Sequence, residues 1–325
     1  MKNILITSAG RRVSLVRYFK IELNAIFPNA KVFTTDANPD YSSACIISDG
    51  YFKVAKVTDS NYIEELLQLV LANAIKLIIP TIDTELLVLS QNIDLFKRHG
   101  IEILISDFNQ VKTFRDKRLT HQFFEKNGIN FAKEFDKKDY HLPIFIKPID
   151  GSRSVDNYII NVDSDLTEYH FTNDNLMFIE YLDQLKHTEF TIDLYYDKNF
   201  NLKCSIPRER IEIRDGEVNK AITRANPTVL ELCNKLKSIK GVRGCVTLQV
   251  FLNNSTNEIY GIEINPRFGG GFPLSYLAGG NFPKWIIEEY ILNLAVIEEF
   301  HNWEKNLMML RYDDEVLVHN FNLKE

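Results

Sequence analysis

The segment GIEINPRFGGG, residues 261–271, carries three polar side chains whose types and spacing suit one chemical task. Glu263, Asn265 and Arg267 occupy alternate positions of a predicted strand, and alternate side chains of a strand share one face. Carboxylate and amide oxygens suit Mg²⁺, whereas the planar guanidinium of arginine suits a phosphate. The segment therefore predicts a metal and phosphate site, and an ordinary polar strand face is the alternative.

A second strand, VTLQVFL, precedes this segment and is joined to it by the polar turn NNSTN. If the two strands pair as a hairpin, Gln249 lies beside Glu263 and Asn265. Three oxygen ligands then converge from adjacent strands, so Gln249, Glu263 and Asn265 are the predicted metal ligands. Mg²⁺ is the expected ion because it uses few carboxylates together with substrate phosphates, and Mn²⁺ is an alternative.

A lysine inside an apolar strand is the next feature. Lys147 lies in IFIKPIDGSRSVD, residues 144–156, where a loop of small residues follows the strand. Such a loop lets backbone N–H groups close over a phosphate, and the lysine then faces the same anion. A lysine that snorkels out of the sheet and an ordinary Gly-Ser turn are the competing interpretations.

Acidic residues in the next two predicted strands are weaker candidates. Glu180 lies in LMFIEYLD, where neighbouring backbone groups are placed to meet a purine ring, and Glu189 lies in HTEFTID, placed to accept from ribose hydroxyls. Solvated acids at a β-bulge explain this stretch equally simply, and on this stretch alone they are favoured.

Several arginines are candidates for binding a substrate carboxylate or an acylphosphate. Arg208 and Arg210 lie in IPRERIEIR and Arg224 in AITRAN, where alternating charges on an exposed hairpin are the alternative. Arg11, with its neighbour Arg12, follows the first strand at the carboxyl edge of the predicted sheet, where ligands of open α/β sheets bind. The same edge carries Asp83 and Glu85, which are equally compatible with plain surface positions.

Composition limits the class of protein. The chain has 325 residues, 45% hydrophobic and 25% charged, with a formal net charge of −6, so no global basic field favours nucleic acid or anionic lipid. Its four cysteines are widely spaced and lack metal spacing, which favours reduced thiols. No apolar run approaches a membrane span, and MKNILITSAG does not resemble a signal peptide. We expect a cytoplasmic protein without nucleic-acid or membrane partners.

The elements that must position these residues fall into two kinds. Strands predicted at 3–8, 31–36, 51–57, 75–81 and 101–106 alternate with helices, which predicts a parallel, doubly wound α/β sheet. A helix at 84–100 closes at Gly100, another at 108–128 closes at Gly128, and antiparallel strands and hairpins dominate the rest. We therefore expect an α/β unit over 1–108, and an α+β unit with a first lobe over 109–182 and a second lobe over 183–325.

The order of these pieces resembles the ATP-grasp fold. FRDKRLTHQFFEKNGI, FIKPIDGSRSVD, IEYLD followed by EFTID, and LQVFL followed by GIEINPRFGGG stand in the family order. The last motif is particularly similar to the nucleotide-binding halves of the carbamoyl-phosphate synthase large subunit, and the first hundred residues resemble the preATP-grasp domain that precedes such modules. The resemblance implies a parallel preATP-grasp domain followed by a two-lobed ATP-grasp domain with antiparallel sheets.

The resemblance also implies roles for individual residues. Lys117, near Arg115, and Lys147 match the cations on the nucleotide phosphates, and Arg267 matches the cation near the transferred phosphoryl group. Glu180, Tyr181 and Leu182 match the hinge that binds adenine, and Glu189 matches the ribose ligand. The segment from Gly151 through Ser152 to Ser154 matches the mobile flap, and Gln249, Glu263 and Asn265 match the magnesium ligands.

The implied activity is ligation of a carboxylic acid to an amine, an amino acid or a thiol through an acylphosphate, with Mg-ATP converted to ADP and phosphate. The chain carries one such module where the synthase carries two, and GGG follows Arg267 in place of a polar run, so carbamoyl-phosphate synthesis is not expected. An ATP-binding sensor or scaffold without ligase activity is the alternative. A dinucleotide oxidoreductase is disfavoured because SAGRR lacks a full GxGxxG. A homodimer is left open.

Overall fold

A computed structural model of the protein describes residues 2–151, 155–214 and 216–321. Its N-terminal part is a five-stranded sheet of order β3-β2-β1-β4-β5, in which all neighbouring strands are parallel. The central strand β1 is fully buried, as expected for a strand covered on both faces. The elements are β1 (Asn3–Thr7), α1 (Val13–Ile26), β2 (Val32–Asp36), α2 (Ser43–Ile46), β3 (Tyr51–Lys53), α3 (Tyr62–Ala72), β4 (Ile75–Pro80), α4 (Asp83–Gln91), α5 (Ile93–Arg98) and β5 (Glu102–Ile103).

The middle of the chain forms a small antiparallel sheet of order β7-β10-β8-β9. Two helices lead into it, and the following strand β6 joins the large sheet described next. The elements are α6 (Phe108–Arg115), α7 (Lys117–Lys126), β6 (Asn130–Phe131), β7 (Glu134–Phe135), β8 (Ile144–Pro148), β9 (Tyr158–Ile160), α8 (Glu168–Thr172) and β10 (Leu176–Glu180).

The C-terminal part is a seven-stranded sheet of order β16-β13-β12-β11-β14-β15-β6. Its strands are antiparallel except for the β15–β6 pair. The elements are β11 (His187–Tyr196), β12 (Leu202–Arg214), β13 (Glu217–Thr223), α9 (Pro227–Lys235), β14 (Gly244–Asn253), β15 (Ile259–Asn265), α10 (Phe272–Leu277), α11 (Phe282–Tyr290) and β16 (Met308–Leu310). The predicted fold, a parallel α/β domain followed by antiparallel sheets, is confirmed.

Some predicted elements are shorter or are broken. The helix expected over 108–128 is two helices because Asp116 interrupts it: its carboxylate accepts from the N–H groups of Arg118 and Leu119 at 2.8 and 3.1 Å, which is an N-cap. The helix expected over 84–100 likewise divides, at Asn92. The strand expected over 51–57 ends at Lys53 and that over 101–106 is only two residues long. Positive φ at Gly100 and Gly128 ends the helices as expected.

The N-terminal domain and the large sheet share one hydrophobic core. Phe19 of α1 is fully buried and meets Phe268 edge-on at 5.9 Å between ring centroids, and both belong to a cluster with Phe272 and Phe282. Beside it, Tyr18 stacks on Tyr276 at 3.8 Å. Within the described residues, none of the helices combines the length and apolar character that a bilayer crossing requires.

Candidate active site

A cleft of about 660 Å³ lies where the three sheets meet. Its walls come from the loop after β4, the start of α1, strands β8 and β10 of the small sheet, and one face of the large sheet. A cleft of this size suits a small-molecule ligand. The sequence-predicted residues that line it are Lys117, Lys147, Gly151, Glu180, Tyr181, Leu182, Glu189, Arg208, Arg210, Gln249, Glu263, Asn265 and Arg267.

Lys147 is a buried cation in the wall of the cleft. It lies on β8, is 6% exposed, and has no carboxylate within ion-pair distance in the described part of the chain. Burial, helped by the nearby charge of Lys117, lowers the pKa of Lys147 from its ordinary 10.5 to about 8. A buried ammonium without a partner is costly, so this position suits an anionic ligand.

Lys117 begins α7 directly after the Asp116 cap, and its ammonium donates to the carbonyl oxygen of Gly151 at 2.9 Å. Burial also lowers the pKa of Lys117, although Glu263 opposes this effect. Close by, burial and the charges of Lys147 and Lys117 lower the pKa of His121 to about 4, which keeps its imidazole neutral. This end of the cleft is therefore a positively charged pocket.

The predicted hairpin register brings together an acid and amide cluster, which consists of Gln249, Glu263 and Asn265. Gln249 lies opposite Glu263 across the β14–β15 pair. Glu263 Oε1 accepts hydrogen bonds of 2.8 Å from both Gln249 Nε2 and Asn265 Nδ2. The amide oxygen of Gln249 accepts from Arg210 Nη1 at 3.2 Å, so Gln249 orients Glu263 in this arrangement and turns its own oxygen away.

The remaining oxygens of Glu263 and Asn265 fit a cation that also binds phosphates. No group of three or more Cys, His, Asp or Glu side chains suited to a metal occurs among the residues that the structure describes. Mg²⁺ needs only one or two carboxylates when phosphate oxygens and waters complete its shell. The donor set therefore fits Mg²⁺ bound together with a nucleotide, and it does not fit an all-protein metal site.

Arg267 forms a bidentate ion pair with Asp83, from the start of α4 in the N-terminal domain. Its Nε and Nη2 donate to the two carboxylate oxygens at 3.0 and 2.7 Å, and its Nη1 donates to the Phe268 carbonyl at 3.2 Å. Burial is the largest influence and lowers the pKa of Arg267, but the charge and hydrogen bonds of Asp83, together with the charge of Glu263, outweigh it and raise the pKa. The ion pair fixes the guanidinium at the junction between the N-terminal domain and the large sheet.

The expected adenine hinge lies at the end of β10. Tyr181 and Leu182 follow the strand and line the cleft, and neither backbone N–H donates to another backbone carbonyl within the described residues. Glu180 N–H is already used, since it donates to the Lys133 carbonyl at 2.8 Å. Gly151 lines the cleft, whereas the flap residues Ser152 and Ser154 lie outside the described residues.

Two of the predicted arginines pair with acids inside the cleft wall. Arg210 Nη1 donates to Glu189, so the expected ribose ligand is held by an ion pair. Burial raises the pKa of Glu189, and Arg210 opposes that rise. Arg208 is fully buried and donates to both oxygens of Asp193, at 2.9 and 3.1 Å.

The other two predicted substrate arginines lie outside the cleft lining. Arg11 is exposed, whereas its neighbour Arg12 lines the cleft. Arg224 is 42% exposed and pairs with Glu209 at 2.9 Å, and it also donates to Asn306. Arg11 and Arg224 therefore do not line the cleft, although Arg12 and Arg208, with which they were grouped, do.

Sequence reasoning did not single out several residues that the fold brings to the cleft. Glu217, at the start of β13, lines it beside Gly269, Gly270 and Gly271. Asp83, the ion-pair partner of Arg267, was predicted only to lie at the carboxyl edge of the parallel sheet, either as a ligand-binding residue or as a plain surface residue. These contacts join distant parts of the chain, and the only sequence signal was the position of Asp83 directly after a buried parallel strand.

Two family models match successive parts of the chain. The N-terminal domain of PylC-like proteins matches residues 4–104, and the ATP-grasp family of the biosynthetic pathway with Ter operon matches residues 172–313. No curated protein sequence matches significantly. Residues 4–104 are thus similar to the N-terminal domain of PylC-like proteins and residues 172–313 to an ATP-grasp family, and the architecture is that of the ATP-grasp fold.

Solved structures share this fold over most of the chain. The biotin carboxylase domain of Hydrogenobacter thermophilus 2-oxoglutarate carboxylase, a dimer in complex with MgADP, ADP and bicarbonate, has 15% identity and a TM-score of 0.74 over 94% of this chain and 73% of that one. The N5-carboxyaminoimidazole synthetase of Staphylococcus aureus, with ADP, has 18% identity and a TM-score of 0.69 over 91% and 79%. These identities establish the fold alone. The finer likeness to carbamoyl-phosphate synthase stays a prediction.

Proposed function

We propose that this protein is an ATP-dependent ligase that activates a carboxylic acid as an acylphosphate and transfers the acyl group to an amine or a thiol. The observation that carries the proposal is Lys147, a buried cation that has no counterion among the described residues and faces a cleft of nucleotide size. The ATP-grasp fold supports it, and proteins that share this fold were solved with MgADP or ADP.

The nucleotide has a consistent place in this cleft. The triphosphate lies against Lys117 and Lys147, and the adenine lies at the hinge, where the backbone of Tyr181 and Leu182 is available. Glu263 and Asn265 would hold the Mg²⁺ ion, which neutralises charge on the phosphates when bound. Gln249 keeps Glu263 oriented for that role through their 2.8 Å hydrogen bond.

The reaction needs positioning and charge stabilisation more than covalent help from the protein. A carboxylate oxygen of the acid attacks the γ-phosphorus, the bond from that phosphorus to the β,γ-bridging oxygen breaks, and ADP leaves. The amine nitrogen or thiol sulfur then attacks the acyl carbon, the bond to phosphate breaks, and the nucleophile gives its proton to the departing phosphate. Lys117 and Lys147 stabilise the negative charge that develops on the transferred group, with Arg267 as a positioned donor beside it.

A sensor or scaffold that binds ATP without turnover is the second candidate. Glu263 is the only carboxylate in the described acid and amide cluster, and its Oε1 already accepts from two amides. A site with one carboxylate binds a nucleotide more readily than it supports two metal ions. The two candidates differ in whether ADP is formed.

The test is ADP release from Mg-ATP with pools of carboxylic acids, with and without pooled amines, amino acids and thiols, followed by mass spectrometry of the products. Glu263→Gln is expected to lower turnover by about 100-fold or more, because it removes the carboxylate that both amides orient. Glu258→Gln, an exposed glutamate on the same hairpin, is the matched control. ATP binding without ADP formation in any pool would favour the sensor, and wild-type turnover by Glu263→Gln would overturn the site.

A further inference from the structure

A second, smaller cavity lies at the edge of the parallel sheet that is opposite to the cleft. Its volume is about 180 Å³, and it is lined from the start of β1, from β4, from the connection between α5 and β5, and from the segment after α11. The cleft instead takes the residues that follow β4, beginning with Thr81. Thr81 is five residues beyond Lys76, which lines the small cavity, and this is about 16 Å along an extended strand. The two cavities are therefore separate.

Three lysines give the small cavity, which we call the lysine pocket, its charge. Lys2, Lys76 and Lys97 line it, and none of them forms an ion pair or a side-chain hydrogen bond with another described residue. Among the described residues of the lining the one carboxylate is Glu102, and Lys198 already pairs with it at 3.8 Å. The three ammonium groups are thus surplus positive charge around one cavity, and an anion would relieve their mutual repulsion.

A β-bulge brings Lys76 to the lysine pocket. In the parallel pair of β1 and β4, Asn3 lies opposite Ile75 and Ile4 lies opposite Leu77, so Lys76 is the extra residue between the two pairs. The other residues of β4 are buried, whereas Lys76 is half-buried. Bulges are rare between parallel strands, and they redirect side chains next to functional sites. The bulge therefore turns a lysine of a central strand out of the core and towards the cavity.

The size of the lysine pocket limits the ligand to a few atoms. A volume of about 180 Å³ corresponds to about six water molecules and is smaller than the pockets of about 300 Å³ or more that hold larger ligands. Lysine ammonium groups are compact charges with three donors each, so a compact anion with several oxygens suits three of them. Asn293 also lines the pocket, and its side-chain amide has no hydrogen-bond partner in the described part of the chain.

We propose that the lysine pocket binds a phosphate group, either of inorganic phosphate or of a small phosphate monoester. The phosphate oxygens accept from Lys2, Lys76 and Lys97, and Asn293 provides a neutral donor. The assignment goes beyond the proposed function and does not depend on it. Because the pocket includes both the N-terminal domain and the segment after α11, a bound phosphate joins these parts and stabilises the folded protein.

Solvated lysines on an ordinary surface are the alternative. That alternative accounts for Lys2 and Lys97, which are both exposed. It does not account for the bulge at Lys76, because a solvated face needs no irregularity in a buried strand. A phosphate site accounts for the bulge, the cavity and the excess of positive charge together.

The first test is isothermal titration calorimetry of the full chain with inorganic phosphate, with potassium chloride at equal ionic strength as the reference. We expect saturable binding with a dissociation constant of about 1 mM or lower. Binding is expected to weaken as potassium chloride is raised, since exposed charges are screened. No saturable binding of phosphate, or an equal response to chloride, would overturn the proposal. Glycerol 3-phosphate is titrated in parallel, and tighter binding of it than of inorganic phosphate would identify the ligand as a monoester.

The second test uses variants of the pocket. Lys76→Gln and Lys97→Gln are each expected to raise the dissociation constant of phosphate by about 3- to 10-fold, the range between exposed and buried charge-assisted contacts. The double variant should lose saturable binding. Lys53→Gln, at an exposed lysine of the same sheet that lines neither cavity, is the matched control. It also reports the general stabilisation that phosphate gives by exclusion from protein surfaces. Wild-type affinity in the double variant would overturn the proposal.

A cross-comparison with the cleft separates this proposal from the proposed function. Lys147→Met is expected to keep the phosphate response and to lose the thermal stabilisation by MgATP, whereas the double variant of Lys76 and Lys97 should show the reverse. If the phosphate response is lost in Lys147→Met and kept in the double variant, phosphate binds in the cleft and the lysine-pocket proposal is overturned. A wild type that responds to phosphate but not to MgATP would count against the proposed function alone.

Discussion

Lys147 gives a prediction in which stability and binding change in opposite directions. Substitution by methionine keeps the length of the side chain but removes the buried charge. The fall in the pKa of Lys147 from 10.5 to about 8 corresponds, at about 1.36 kcal/mol per pH unit, to a cost of about 3 kcal/mol for keeping the ammonium charged in the folded protein. Without nucleotide, Lys147→Met is therefore expected to be more stable than the wild type, by up to about 3 kcal/mol.

The sign of the pH dependence follows from the same linkage. Because the pKa of Lys147 is lower in the folded state, the cost is fully present below pH 8 and disappears as the pH rises towards 10.5. The advantage of Lys147→Met should thus be largest near neutral pH and shrink in alkaline buffer. For a chain of this length, about 3 kcal/mol corresponds to roughly 4 °C in melting temperature.

The assay is thermal or urea unfolding of both proteins, with and without MgATP, across this pH range. MgATP is expected to stabilise the wild type and to have little effect on Lys147→Met, since the variant lacks the cation that is proposed to bind the phosphates. Lys138→Met, at an exposed position, is the matched control and should change stability by no more than about 0.5 kcal/mol. A variant that is less stable than the wild type and still stabilised by MgATP would refute the reasoning.

Three further predictions concern the same structure. The dissociation constant of MgATP should rise by about fivefold between pH 8 and pH 9, because the free protein must then take up a proton on Lys147 to bind, and calorimetry in buffers of different ionisation enthalpy would detect that proton. Asp193→Ala should destabilise the protein by about 3–5 kcal/mol in urea unfolding, because it leaves the charge of Arg208 buried and unpaired; an unchanged midpoint would contradict this. Gly261→Ala should cost about 1–3 kcal/mol, because its Cβ would lie 2.5 Å from Phe124, and a melting curve like that of the wild type would show that the ring moves aside freely.

Local pattern was enough to predict the parts of the site that lie on one hairpin. The pairing of Gln249 with Glu263 follows from strand alternation and a short turn, and the structure has that register. For Lys147, its place in an apolar strand left snorkelling and burial as alternatives, and the structure has it buried. Both depend on residues that are near in sequence, where periodicity is informative.

Contacts between distant segments could not be predicted from the sequence. The pairing of Asp83 with Arg267 joins positions 184 residues apart. The choice between Arg11 and Arg12 depends on which of two adjacent residues faces the cleft at the start of α1, and no periodicity exists there to decide it. The break at Asp116 was missed for a different reason, since a capping side chain outweighed a continuous helical pattern.

The hydrophobic core that joins α1 to the large sheet has a consequence for how such a protein can change over time. Because Phe19 packs against Phe268 and Tyr18 against Tyr276, a first domain transplanted from another protein would expose apolar surface unless its contact partners were transplanted too. Arg12 lies a few residues before these aromatic side chains in the same chain segment. New ligand preferences would therefore arise more readily by point changes in the wall of the cleft than by exchange of whole domains.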